Sequence, residues 1–396
     1  MHRRKLLSFH AGVVKDINEQ VVLKLIQEHG IISSTELVNI TGMRPSTVFN
    51  ILKELSAKSF VSFYGKGEST KKGGKKPYIW TLNKDSAYAI GLDIEVGEVS
   101  AVVLDFSGGI IAKENIKIEA SSNADELAKN IVKIVNGVIA SNKIDDNKVL
   151  GVGIAIAGIV DYGKGIVAMS SVLTEMNVPL LKKLNSLPFT VLIENNANAA
   201  ALGLKWNENG SNNNKSKRNY LTILAEIDKN VSGLGIGIVI NSEIYRGSSY
   251  CAGELYPHLP SLTEILTTVR TKFVESEILK GYASSLELID INFLVEAAKK
   301  GDKIARLVFS IIGHFVGQTI APAVGLLNPD TLIITGVISE IEDVLIESVR
   351  KEIETRVVSM ISDSLNIIAD KYHLYSVAVG AASLVLEDFF KLPINR

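Results

Sequence analysis

The sequence predicts an α/β protein in two parts, a small helix-turn-helix unit with a wing ahead of a larger unit built from two related halves. Three observations carry that expectation. A helix, a short helix, a glycine turn and a third helix follow one another before residue 60, and a lysine- and glycine-rich hairpin comes next. From Ala89 the texture changes to strand pairs followed by helices, and a second, similar series begins near VLIENN and YLTILAEI. Charge divides at the same place: residues 1–84 hold 14 Lys and Arg against 6 Asp and Glu, a net +8, which leaves −9 for the remainder. A duplicated ribonuclease-H-like, actin-type arrangement fits the second part best. The expected boundaries are 1–84 for the head and 85–396 for the rest, in two lobes of about 85–200 (with the C-terminal helix) and 201–385.

In the head, Ile17, Val21, Leu25 and Ile26 recur at helical spacing from Asp16, and Gly30 is a plausible C-cap. Ser33, Ser34 and Thr35 offer N-caps to a short helix bearing Leu37, Val38 and Ile40, and Thr41-Gly42-Met43 supplies a tight turn. Pro45 suits the first turn of the third helix because it has no N–H to lose, and Val48, Ile51, Leu52 and Leu55 form its core-facing stripe. The opposite face carries Arg44, Ser46, Thr47, Asn50 and Lys53, groups that donate to phosphates and hydrogen-bond base edges. Phe60, Val61 and Phe63, a Gly65–Gly74 loop and Tyr78-Ile79-Trp80-Thr81-Leu82 read as the two strands of a wing, with Lys66, Lys71, Lys72, Lys75 and Lys76 on or beside it. The bland alternative is a solvated basic face on a solubilising hairpin. The expected partner is operator DNA.

Composition removes several function classes. The single cysteine, Cys251, cannot form an internal disulfide or build a cysteine-rich zinc site. The opening MHRRKLLSFH lacks the apolar run of a secretory signal, and the longest apolar runs are interrupted well before membrane-spanning length. The expectation is a cytoplasmic protein that meets no membrane.

Beyond the head the chain resembles the ROK family (repressor, open reading frame, kinase) in its winged-helix regulator branch, of the xylose-repressor and N-acetylglucosamine-repressor type. The resemblance runs from about Asn18 to the end and rests on the order of several segments. GGKKPYIWTLN is similar to the wing-to-domain junction, GLDIEVGEVSAVVLDFSG to the first phosphate-loop hairpin, and GVGIAIAGIVD, containing Gly158, to the next strand and turn. VPLLKKLNSLPFTVLIENNANAAALG is similar to the substrate-site segment, SGLGIGIVINSEIYRGSSYCAGEL to the second Gly-rich loop and ligand loop, and LNPDTLIITGVIS to the adenosine-side strand. The GxGxG at Gly233, Gly235 and Gly237 taken alone is weak evidence for phosphate binding.

The resemblance implies a sugar effector, and the departures from the kinase pattern imply a receptor without catalytic residues. Kinases of the family carry Gly-Gly-Thr after the first-loop aspartate; here Asp93 is followed by Ile94-Glu95-Val96-Gly97-Glu98, where two carboxylates would repel a polyphosphate. They carry an aspartate general base after Glu-Asn; here Glu194-Asn195 is followed by Asn196, which can hold a hydroxyl but cannot take its proton. Asn195, Asn196 and Asn198 can equally cap the helix they open, and the two uses are compatible. Glu254 matches the family's ligand-loop glutamate, whereas Pro257 stands at the expected histidine and His258 is one residue late, either a replacement or a surface residue. The zinc motif that follows in relatives has no cysteines in this chain, so no metal and no cofactor are expected. Ser171 and Glu175 stand where relatives carry Asn and Trp, which implies a reshaped pocket. The expected effector contacts are thus Asn195, Asn196, Glu254, His258 and Gly158, in a homodimer or a dimer of dimers on a two-fold operator. Two rivals stay open: an active sugar kinase with a DNA-binding head, and a regulator controlled by a protein partner.

Overall fold

The computed structural model describes residues 11–67, 76–119, 123–208, 218–255 and 259–391. Residues 11–67 and the β-strand that follows form three helices and a small sheet: α1 (Ala11–His29), β1 (Ile31–Ser33), α2 (Ser34–Thr41), α3 (Pro45–Ala57), β2 (Val61–Lys66) and β3 (Tyr78–Leu82), with strand order β1-β3-β2 and both pairs antiparallel. Ser33 closes a capping box with Glu36, and Gly42 ends α2 in the left-handed region (φ 66°), so the short helix is fixed at both ends by its own sequence. Val48, Ile51, Leu52 and Leu55 are buried, as their spacing predicts, against Val22, Leu23, Ile26 and Leu37. Strand β1 is an addition to the sequence reading: three residues are too few for a periodicity signal, and pairing of Ile31, Ile32 and Ser33 with β3 creates the strand. Helix α1 begins five residues ahead of the predicted Asp16.

The next stretch comprises β4 (Tyr88–Glu95), β5 (Glu98–Asp105), β6 (Ile110–Lys117), α4 (Ala124–Ser141), β7 (Val149–Ile156), β8 (Gly158–Asp161), β9 (Ile166–Ser170), α5 (Leu180–Lys183) and β10 (Thr190–Asn195). Its sheet runs β10-β7-β4-β5-β6, with β4–β5 and β5–β6 antiparallel and β4–β7 and β7–β10 parallel. After α6 (Asn196–Glu208) come β11 (Tyr220–Ile227), β12 (Ser232–Ile240), β13 (Glu243–Ile244), α7 (Leu262–Val269), α8 (Ile291–Lys299), α9 (Lys303–Leu327), β14 (Thr331–Thr335), α10 (Glu342–Glu354), α11 (Ser359–Ser364), β15 (Asn366–Ala369) and α12 (Ser376–Phe390). The second sheet, β13-β12-β11-β14-β15, repeats the first in both order and strand sense.

Three predicted helical stretches are broken. TEILTTVRTKFVESEIL is α-helical only to Val269, where the β-branched run Thr267-Thr268-Val269 ends it; a tighter turn follows, and the Ser276 hydroxyl accepts from the N–H groups of Ile278 and Leu279 to start the next. The long stretch from Leu294 is split by Gly301 (φ 85°), after which Asp302 caps α9 through the N–H groups of Ile304 and Ala305. VLIESVRKEIETRVVSMI divides between α10 and α11, with Val358 extended between them. By length and composition α9 could cross a membrane, but its apolar face, including Phe309, Ile312, Val316 and Ile320, lies in the core beside the second sheet.

Helix α12 ties the parts together. It packs on the first sheet so closely that a Cβ on Gly91 would lie 2.0 Å from the Ala378 carbonyl oxygen, which only glycine permits. The far end of α12 enters an aromatic cluster that joins head to lobe. Phe106 lies 5.4 Å from Phe60 of the head and 5.4 and 5.1 Å from Phe389 and Phe390, and Trp206 at the end of α6 lies 5.4 Å from Phe390. Gln20 of α1 donates to the Phe389 carbonyl at 2.5 Å.

Candidate effector cleft and nucleic-acid face

The cleft is built where β10 turns into α6. Glu194, 1% exposed, is the last buried acid of β10. One of its oxygens accepts from the Asn195 N–H at 2.9 Å and the Asn198 amide at 3.2 Å. The other accepts two hydrogen bonds from Arg246, Nε at 2.8 Å and a terminal guanidinium nitrogen at 2.6 Å. The same guanidinium lies 4.2 Å from the ring centre of Tyr162, in the β8–β9 turn, so an arginine from the second half is held between two groups of the first.

Asn195 is spoken for: its oxygen accepts from the Asn198 N–H at 3.1 Å and its amide donates to the Gly158 carbonyl at 2.8 Å. Capping and positioning are therefore its visible work, and Gly158 enters through its backbone; a Cβ there would lie 2.1 Å from the Met169 carbonyl oxygen. Asn196 donates to Glu226 at 2.9 Å. Asp93, at the end of β4, is buried, and enclosure with Glu95 and Glu226 nearby holds its carboxyl well above the usual carboxylate range. Glu95 is exposed as a residue, yet partial desolvation of its carboxyl, then the charges of Glu226 and Glu98, push it up to about 7. Glu226 is likewise exposed as a residue; partial desolvation raises its carboxyl, and the Asn196 amide partly relieves this.

Glu254 reaches the same region because its backbone bridges Gly235 of β12, which packs on Ala197 beside Asn196. Glu254 is exposed as a residue; its carboxylate makes no hydrogen bond among the described residues, and partial desolvation raises its pKa. His258, named from the sequence, lies outside the described residues. Of the two reshaping positions, Ser171 is exposed, whereas Glu175 accepts from the Ala124 N–H at 2.9 Å and holds the start of α4.

The arrangement does not fit a polyphosphate. Glu95 and Glu98 face each other across the two-residue β4–β5 turn, Val96 is 62% exposed at its tip, and Glu226 lies close enough for its charge to act on Glu95. Two of the three glycines of β12 lie tight against α6: a Cβ on Gly235 would lie 2.8 Å from that of Ala197, and one on Gly237 would lie 2.4 Å from the Ala197 carbonyl oxygen. What the cleft offers is a row of acceptors and amides suited to hydroxyl groups. Sequence reasoning passed over Tyr162, Glu226 and Arg246. Only Glu226, an acid set into an apolar strand run, carries a local signal.

On the head, Arg44 just ahead of α3 and Ser46, Asn50 and Lys53 on it are exposed, and Thr47 is half-buried. Arg44 provides no side-chain cap for the helix it precedes. Lys66 and Lys76 are exposed at the two ends of the β2–β3 connection, and Lys72 and Lys75 lie outside the described residues.

The chain is similar to the putative xylose repressor of Caldicellulosiruptor sp. (strain Rt8B.4), 27% identical over 404 residues that cover 96% of this chain and 98% of that protein. In structure it is similar to a ROK family transcriptional regulator described as a homologue of the E. coli MLC protein, with TM-score 0.73, 20% identity, and 96% and 98% of the two chains covered. It is also similar to a ROK family glucokinase from Streptomyces griseus solved with glucose and AMPPNP, with TM-score 0.61, 24% identity, and 75% and 99% covered. The sequence profile described as the ROK family matches residues 89–388, three quarters of the length and both sheets, so the chain belongs to the ROK family.

Proposed function

We propose that the protein is a sugar-responsive, DNA-binding transcriptional repressor of carbohydrate genes whose kinase-like part has become a receptor. On this reading residues 1–84 are a winged helix-turn-helix, with α3 as the reading helix and β2–β3 as the wing. Residues 85–396 are then the effector part, in two ribonuclease-H-like lobes. The observation that carries the proposal is continuity. The head and the C-terminal end of α6, the helix that Asn196 opens, are joined by one packed path through Phe60, Phe106, Phe390 and Trp206. A ligand that moves α6 therefore has a route to the head. Two copies reading paired half-sites in the cytoplasm complete the scheme, and sugar binding shifts the population of the two arrangements by its differential affinity.

The effector is an uncharged sugar. Glu226 and Glu254 supply acceptors, Asp93 is held protonated, and the guanidinium of Arg246 is already committed to Glu194, so the arginine is not free to pair with a phosphorylated ligand. Asn196 and Glu254 hold hydroxyls, and Asn196 provides no general base.

The test is a thermal-shift screen of the full chain against neutral sugars, amino sugars and sugar phosphates, paired with gel-shift assays on a duplex that the chain selects from a random pool. A neutral sugar should stabilise the chain, weaken its hold on the duplex, and do neither with Glu254→Ala. Turnover of ATP with any sugar would replace this reading with that of an active kinase.

A further inference from the structure

The third helix of the head presents an unpaired aromatic ring where a uniformly polar face would be expected. Phe49 is 59% exposed, whereas its chain neighbours Val48, Ile51 and Leu52 are buried. It stands three residues after Ser46, one before Asn50 and four before Lys53, so these side chains share one side of α3. All four are exposed.

A lone surface hydrophobe is ordinary on most proteins. The setting of this one is not. Arg44 just ahead of the helix and Lys53 on it stand on either side in sequence, Lys66 and Lys76 stand at the ends of the wing, and the first 84 residues carry a net charge of +8. The surface around the ring is complementary to a polyanion, and an α-helix matches the width of a major groove. A base pair offers that groove one apolar group, the C5 methyl of thymine, and a phenyl ring is among the side chains able to cover it. Ser46, Asn50 and Lys53 beside the ring are left for the polar edges and the backbone.

We propose that Phe49 is a specificity-determining residue that reads thymine in each operator half-site by packing its ring on the C5 methyl group. The inference deepens the DNA-binding reading above and rests on it. Water leaves both apolar surfaces when they meet, and the contribution is that of about one buried methyl group, a factor of about four in affinity. Phosphate contacts from Arg44 and Lys53 set affinity alike for all sequences, whereas this contact discriminates.

The full chain is used to select duplexes from a random-sequence pool, and each thymine of the selected duplex is then replaced singly by deoxyuridine, which lacks only the methyl group. The wild type should enrich thymine at one position per half-site and lose about fourfold in affinity when that base becomes deoxyuridine. Phe49→Ser should bind the two duplexes equally, and Phe49→Leu should keep part of the difference. Because the ring is exposed, both variants should retain the wild-type denaturation midpoint. If no thymine-to-deoxyuridine change separates the wild type from Phe49→Ser, Phe49 does not read thymine, although the chain still binds DNA. If the pool yields no enriched duplex at all, the DNA-binding reading itself fails and takes the role of Phe49 with it.

Discussion

Arg246 donates two hydrogen bonds to a single carboxylate oxygen of Glu194, and Glu194 is 1% exposed. A charge so buried is tolerated only with its partner in place. Arg246→Ala should therefore destabilise the chain by about 3–5 kcal/mol, because it leaves the carboxylate unpaired. Adding Glu194→Gln should restore much of the loss. Urea denaturation of both variants measures this, and a single variant as stable as the wild type would show that the pair is not a clamp between the two halves.

Glu95 gives the stability of the cleft a definite pH dependence. Its carboxyl is pushed up to about 7 in the folded chain from an ordinary 4.5, so folding favours its protonated form. The associated stability is complete below about pH 4.5 and is lost as pH rises through about 7. Glu95→Gln keeps the shape and removes the titration. Its melting temperature should nearly match the wild type at pH 5 and exceed it at pH 8, and a constant difference between the two across that range would rule the assignment out.

Restoring a carboxylate at position 196 should not restore a kinase. The Asn196 amide donates to Glu226, so Asn196→Asp sets two acceptors against each other in an already acidic cleft. The cost should be about 1–3 kcal/mol at pH 8 and smaller at pH 5, where a shared proton relieves the repulsion. Coupled assays with ATP and a sugar panel should find no turnover, since Glu95 and Glu98 still occupy the β4–β5 turn. Measurable phosphorylation would mean that Asn196 alone separates this chain from an enzyme.

What could be read without the structure was local. An N-cap among Ser33, Ser34 and Thr35, the glycine turn at Gly42 and the buried stripe of α3 all lie within a few residues of their causes. The grouping of Asn195, Asn196 and Glu254 as effector contacts came from resemblance to family motifs, and it remains a proposal. Arg246 was not, because its role depends on Glu194, 52 residues away, and on Tyr162 in another turn, and no periodicity links them. The role of Asn195 was only half legible: the residue type allows capping and ligand binding alike, and the Gly158 carbonyl decides how its amide is used. The same limit explains β1, a strand that exists because β3 is beside it.

The junction of head and lobe should depend on Phe106, which is fully buried and sits against Phe60, Phe389 and Phe390. Phe106→Ala should cost about 3–5 kcal/mol through lost burial and the cavity left behind. Because the ring also bridges the head to α12, limited proteolysis should release the head sooner than in the wild type. A destabilised variant whose head stays protected would place the mechanical link elsewhere, with Gln20 and the Phe389 carbonyl as the next contact to test.

The glycines of β12 separate a packing role from a phosphate-cradling one. A Cβ on Gly237 would lie 2.4 Å from the Ala197 carbonyl oxygen and 2.8 Å from the Ala201 side chain, whereas one on Gly233 meets nothing within 4 Å. If these residues exist to let α6 lie on the strand, Gly237→Ala should destabilise by about 1–3 kcal/mol, the usual cost of forcing extra volume into a packed contact, and Gly233→Ala should be nearly neutral. Gly237→Ala should also weaken the sugar-induced thermal shift, because displacing Ala197 displaces Asn196 beside it. Two equally mild effects on stability, each accompanied by altered nucleotide binding, would instead mark the run as a loop that approaches phosphate.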